Sequence, residues 1–224
     1  MKFTASAAVV VSVGAWLGAP LGAPPASAEP CPDVDVVFAR GTDEPPGVGV
    51  VGQTFVDAFR ADVAGTKTVA VYPVNYPASR NYATGIDGVA DAGNHVRDVA
   101  ANCPATKIVL GGYSQGAGVI ALLTSEAITA GSTPLPAVPA PLPPAVADQV
   151  AAVALFGKPS TDLLNSLGMP QLTVGPLYTA KTIDLCVDGD PICSKDQANS
   201  IVPHLLYGVN GMAAQAAQFA AGRL

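Results

Sequence analysis

A chain of 224 residues carrying a net charge of −6 is long enough for one domain with a substantial core, and its acidic balance repels nucleic acid. No basic patch offsets that charge, and no apolar run beyond the N-terminus is long enough to span a bilayer. Charged residues make up only 12% of the chain, so small, apolar and neutral polar side chains must cover much of the surface.

The first residues read as an export signal. Lys2 is followed by an apolar stretch from Ala7 to about Leu17, then by Pro20, Pro24 and Pro25, and by the small residues Ala26-Ser27-Ala28. That order predicts a signal peptide over residues 1–28, cleaved after Ala28. The apolar stretch is shorter than the ~20 residues of a transmembrane helix. Residues 29–224 are then a single exported domain, either released as a secreted protein or held at the cell wall.

Short apolar, β-branched runs follow at Val34–Ala39, Thr68–Tyr72, Lys107–Leu110 and Ala151–Phe156, with a weaker one at Lys181–Leu185. Their nearly continuous apolar character suits strands buried on both faces. Helical spacing separates them. Val51, Phe55, Ala58, Phe59 and Val63 form one stripe, and Ile86, Val89, Ala90, Gly93, Val96 and Ala100 another. A third helix is expected directly after Ser114, through Val119, Ile120 and Leu123, and an Ala- and Gln-rich one at 211–222. Alternating strands and helices predict a three-layer α/β fold with a five-stranded parallel sheet. Residues 131–144 hold six prolines, which disfavour helix and sheet ladder and predict an extended surface connection.

All four cysteines, Cys31, Cys103, Cys186 and Cys193, lie beyond the signal. An even count in an exported chain favours two disulfides. Cys186 and Cys193 are the natural local pair, which leaves Cys31 with Cys103. No C-x-x-C pair points to zinc.

Gly112-Tyr113-Ser114-Gln115-Gly116 is a G-x-S-x-G pattern placed after a predicted strand and before a predicted helix. In a nucleophile elbow the serine takes a strained conformation and the glycines let strand and helix approach closely. The helix N-terminus then favours developing negative charge. A serine hydroxyl needs a base. His95 sits among Asp91 and Asp98 on the polar face of the second helix, where a solvated surface role is expected. His204 follows the last strand, in the position of the base in the order serine, acid, histidine. Asp188 and Asp190, bracketed by Cys186 and Cys193, are the close candidates for the orienting carboxylate, with Asp184 a weaker third. The residues alone do not choose between the first two.

Four blocks then resemble the cutinase family of secreted esterases: Phe38-Ala39-Arg40-Gly41-Thr42, Gly-Tyr-Ser-Gln-Gly at 112–116, Cys-Val-Asp-Gly-Asp-Pro-Ile-Cys at 186–193, and Pro-His-Leu at 203–205. They occur in family order across nearly the whole of residues 29–224, and the composition is most similar to cutinase-like proteins of mycobacteria and related actinobacteria. The resemblance implies the α/β-hydrolase fold, Ser114, Asp190 and His204 as the triad, and the bridges Cys31–Cys103 and Cys186–Cys193. It also implies an oxyanion hole from the backbone N–H of Gln115 and from Thr42, where the family often has serine. The Pro-rich segment is longer than the corresponding connection of fungal members.

The reading is a secreted, monomeric serine esterase or lipase that needs no metal or cofactor, acts on lipid or other esters, and contacts a lipid interface without an integral span. Its rivals are an acetylxylan esterase, a serine peptidase, and a non-catalytic secreted binding or antigenic protein on a hydrolase scaffold. Ile192, Val202 and Leu205 flank the triad and are expected either at the acyl pocket or, equally, in the core.

Overall fold

Five strands, all parallel, form the centre of the computed structural model: β1 Val34–Ala39, β2 Val69–Pro73, β3 Lys107–Tyr113, β4 Val150–Phe156 and β5 Thr182–Leu185, in the order β2-β1-β3-β4-β5. The structure describes residues 1–2, 30–126, 139, 142–195 and 199–224. Cys31–Leu224 make one compact unit. The predicted signal peptide, apart from Met1 and Lys2, and most of the Pro-rich connection lie outside the described residues. No helix among the described residues is long and apolar enough to cross a membrane.

The longer helices are α1 Gly49–Asp62, α2 Gly85–Asn102, α3 Gln115–Leu123 and, at the C-terminus, α7 Met212–Ala221. Between them lie three short ones, α4 Pro144–Ala147, α5 Thr161–Ser166 and α6 Pro176–Thr179. Alternation along β1 shows how the layers are held. Val34, Val36 and Phe38 turn toward α1 and α7, while Val37 and Ala39 turn toward α2 and α3. Both sets are fully buried, which is why the strand reads as continuously apolar rather than alternating.

Two differences from the sequence reading have clear causes. β3 continues through Gly111 and Gly112 to Tyr113, although glycine is a poor strand former. The ring of Phe38 fills the space beside Gly111, where an added Cβ would lie 2.5 Å from Phe38 Cδ2. Sheet pairing and packing override propensity there and carry the strand up to Ser114. The last proline of the Pro-rich run, Pro144, opens α4; its fixed φ and missing N–H are tolerated in the first turn of a helix. The three short helices escaped detection because one or two turns carry no readable period.

Candidate active site

Ser114 stands between the end of β3 and the start of α3 with φ 54° and ψ −117°. That is a strained region for a residue with a side chain. Its N–H is anchored to Phe156 O at 2.8 Å. An added Cβ on Gly112 would lie 2.3 Å from Gly116 O, and one on Gly116 would lie 2.0 Å from Ala39 O. Both glycines are therefore dictated by backbone contact, Gly112 across the strand-to-helix turn and Gly116 against the end of β1. The carboxyl ends of the strands meet here, where open α/β sheets place their sites.

His204 lies on a 3-10 turn, Val202–Leu205, and is 6% exposed. Its Nε2 is 2.9 Å from Ser114 Oγ and its Nδ1 is 2.8 Å from Asp190 Oδ2. An ionised carboxylate only accepts, so Nδ1 carries the hydrogen and Nε2 is left to accept from the serine hydroxyl. The ring is held by Tyr113, whose hydroxyl donates to His204 O at 2.7 Å and whose ring stacks on the imidazole at 5.0 Å between centroids. Tyr113 is thus more than the variable residue of a motif.

Asp190 is fully buried. Its Oδ1 accepts the Ile192 N–H at 2.8 Å, and its Oδ2 accepts from His204 and, at 2.5 Å, from the Tyr207 hydroxyl. Burial pushes the carboxyl's pKa up, but the hydrogen bonds from His204, Tyr207 and the Ile192 N–H outweigh it and hold the group below its ordinary value. Of the other carboxylates, Asp188 is exposed, and Asp184 points to Lys158 Nζ at 3.3 Å.

Two disulfides, Cys31–Cys103 and Cys186–Cys193, account for all four cysteines. They differ in what they close, with sequence separations of 72 and 7. Loop-closure entropy assigns roughly 4 kcal/mol to the long loop and roughly 2 to 3 to the short one. The short bridge brackets Asp190 and sits beside the site. Cys186, Asp190 and Cys193 are near enough to suggest a metal set by distance, but sulfurs joined in a disulfide offer no thiolate ligand.

Thr42 and Gln115 both lie at the cavity beside Ser114, and the Thr42 hydroxyl donates to Gln115 Oε1 at 3.3 Å. The Gln115 amide in turn donates to Ser79 O at 3.2 Å. The loop carrying Thr42 is fixed from behind. Buried Arg40 donates to the carbonyl oxygens of Glu44, Val74 and Tyr76, and the Glu44 carboxylate accepts the N–H groups of Gly41 at 2.6 Å and Val50 at 2.8 Å. Sequence reading singled out neither role, because each depends on partners distant in the chain.

From Ser114 an apolar cavity of about 230 Å³ runs along α3, past Gly118 and Leu122, to the segment carrying Leu163, Leu167 and Leu172. Ser114, Gly118 and Leu122 fall at i, i+4 and i+8, one face of the helix. Ile192 lines the cavity as expected. Val202 and Leu205 do not; they are 57% and 63% exposed beside the histidine.

His95 is not the solvated residue that its polar helix face suggested. Its Nε2 lies 2.5 Å from Oδ2 of Asp35, and its ring stacks on Tyr72 at 3.6 Å with planes 5° apart. Asp35 occupies a core position of β1 and is 3% exposed, so it needs a hydrogen-bonding partner. The sequence hides this because Asp35 and His95 are 60 residues apart.

A strained serine in line with an imidazole and a buried carboxylate, on a five-stranded parallel sheet, defines the α/β-hydrolase class. Comparison with known proteins narrows the class. The Cutinase family model matches residues 30–224. Carboxylesterase Culp1 of Mycobacterium tuberculosis is 48% identical over 219 residues, covering 96% of this chain and 93% of that protein. Phospholipase Culp4 of the same organism is 45% identical over 225 residues, covering 100% and 92%. A Trichoderma reesei cutinase structure, in complex with a phosphonate inhibitor, superposes with a TM-score of 0.64 at 33% identity, covering 86% of this chain and 77% of that one. The chain belongs to the cutinase family and is a carboxylic ester hydrolase.

Proposed function

We propose that the protein is an exported serine esterase that cleaves medium-chain fatty-acyl esters through an acyl-enzyme on Ser114. The observation that carries this reading is the hydrogen-bonded series Ser114–His204–Asp190 at the mouth of an apolar cavity. Ser114 Oγ attacks the ester carbonyl as His204 Nε2 takes its proton. Asp190 holds the imidazole through Nδ1 and stabilises the imidazolium. The N–H groups of Gln115 and Thr42 receive the oxyanion, a contribution of about 3 kcal/mol per donor in comparable sites. His204 then protonates the leaving alcohol. Water, deprotonated by the same imidazole, releases the acid and restores Ser114.

The cavity supports an acyl group longer than acetyl. From Ser114 to Leu122 the helix rises about 12 Å, and about 230 Å³ holds roughly eight groups the size of a water or methylene. Apolar side chains also rim the entrance. Tyr82 and Leu167 line the cavity yet are partly exposed, and Ile201, Val202 and Leu205 stand exposed beside His204. Such a cluster around one opening supports docking at a lipid surface. Two disulfides and the N-terminal pattern support export.

A p-nitrophenyl ester series from acetate to palmitate tests the substrate class. kcat/KM is expected to peak near octanoate to decanoate. Gly118→Leu, which places a side chain against Leu172 inside the cavity, should move the peak to shorter esters and leave acetate turnover nearly unchanged. A wild-type optimum at acetate contradicts the proposed acyl class, and an unmoved optimum in the variant contradicts the placement of the chain along α3.

A further inference from the structure

Three residues beyond His204, Tyr207 is fully buried, and its hydroxyl is drawn into the site. It donates to Asp190 Oδ2 at 2.5 Å, onto the same oxygen that accepts His204 Nδ1–H at 2.8 Å. It also accepts the Val187 N–H at 3.1 Å and lies 3.2 Å from Cys193 Sγ. The phenol therefore joins the acid to both sides of the disulfide loop. Its ring stands edge-on to the imidazole and to Phe156, so the hydroxyl cannot swing away without disturbing the core.

We propose that Tyr207 is a positioning residue for the esterase reaction: its hydroxyl fixes the Asp190 carboxylate and tempers that group's pull on the His204 proton, setting the pH at which the base becomes available. The inference rests on the proposed serine mechanism. A phenol O–H draws charge from Oδ2. Without it the carboxylate is more basic and binds the imidazolium more strongly, so the imidazole gives up its proton only at higher pH. Other titratable groups at the pair do not substitute. Tyr113 stacks on the ring but donates to the His204 carbonyl, Glu44 is committed to the Gly41 and Val50 N–H groups, Lys158 pairs with Asp184, and Asp188 is exposed. Burial, then the bond to Asp190, pushes the Tyr207 phenol up, which keeps it a donor throughout the working range.

The test is the pH profile of kcat/KM on p-nitrophenyl octanoate. Tyr207→Phe keeps the ring and removes the donor. The acid limb should move up by about half to one pH unit, with kcat lower by about tenfold and KM unchanged, since no substrate reaches the buried ring. Site-specific replacement of Tyr207 by 3-fluorotyrosine, a stronger donor of nearly the same shape, should move the limb down. The opposed signs exclude a role in packing alone, and the fluorinated protein carries the test if the phenylalanine variant does not fold. In an Asp190→Asn background the Tyr207→Phe change should have no further effect on kcat. An acid limb that stays in place in both variants overturns the proposal, as does an undiminished kcat penalty in the Asp190→Asn background. Full activity of Ser114→Ala would instead overturn the serine mechanism beneath it.

Discussion

The molecule contains two histidine–aspartate pairs, and they are built alike up to a point. His204 Nδ1 meets Asp190 at 2.8 Å and His95 Nε2 meets Asp35 at 2.5 Å. In both the carboxylate is almost wholly buried. The difference lies in what the rest of the imidazole faces. His204 presents its second nitrogen to Ser114, on the turn where β3 passes into α3 beside the cavity. His95 is clamped face to face with Tyr72, and Asp35 sits at the second position of β1, toward the amino ends of the strands. In a parallel sheet with crossover helices, the helix N-termini follow the carboxyl ends of the strands, where such sheets place their sites. The same side-chain pair therefore has a serine hydroxyl beside it at one end and ties a core acid to a helix at the other.

Breaking each pair should give opposite signatures. The largest effect is expected from Ser114→Ala and His204→Ala, each lowering kcat for p-nitrophenyl octanoate by at least about 10⁴-fold, with thermal unfolding little changed in Ser114→Ala. Asp190→Asn should follow at about 10⁴-fold, because the imidazole loses its oriented tautomer. His95→Ala should instead leave kcat within a few-fold and cost about 3 kcal/mol of stability, measured by urea unfolding, since the core carboxyl of Asp35 is left without a partner. A His95→Ala protein that is fully stable but inactive would reverse the assignment of the two pairs.

Acid should bring the stability of the wild type toward that of Asp190→Asn. Asp190 is held below its ordinary value in the folded protein, so the folded state binds fewer protons than the unfolded state. The associated stability is complete above about pH 4 and is lost as pH falls through the depressed folded value. Urea midpoints of the two proteins should converge on acidification below about pH 4; a gap that widens there would contradict the hydrogen-bonding account of Asp190. The smallest effect is expected from Thr42→Val, which removes the contact to Gln115 but retains the backbone N–H. A drop in kcat of about tenfold or less is expected, against a larger one if the hydroxyl itself were the main oxyanion donor.

Export makes a separate claim about the chain. If residues 1–28 are removed on secretion, N-terminal sequencing of protein recovered from culture medium should begin at Glu29. A mature chain that retains Lys2 would show the segment to be an anchor.

Much of this was legible in sequence for local reasons. β1, α3 and α7 announce themselves through continuous apolar runs or period, and the G-x-S-x-G turn through two glycines that backbone contact requires. Asp190 is a harder case. Spacing alone left it level with Asp188, and only the family pattern separated them; in the structure one is fully buried beneath His204 and the other exposed. His95 was misread because helical periodicity reports the face of a helix and not its partner in the sheet it covers. Asp35, an acid within an apolar strand, was the available signal that something must meet it. Tyr113, Tyr207 and the Arg40–Glu44 brace carry no local pattern. Their roles come from contacts between segments far apart in the chain, which periodicity does not encode.

The central claim is that Ser114, activated by His204 and not by His95, is the nucleophile. A p-nitrophenyl alkylphosphonate, which leaves a stable phosphonyl group on an activated serine, tests it directly by mass spectrometry of the labelled peptides. The account predicts one adduct, on the peptide containing Ser114, formed at nearly the wild-type rate in His95→Ala and essentially absent in His204→Ala. An adduct on another residue, or labelling that survives His204→Ala and disappears in His95→Ala, would contradict it.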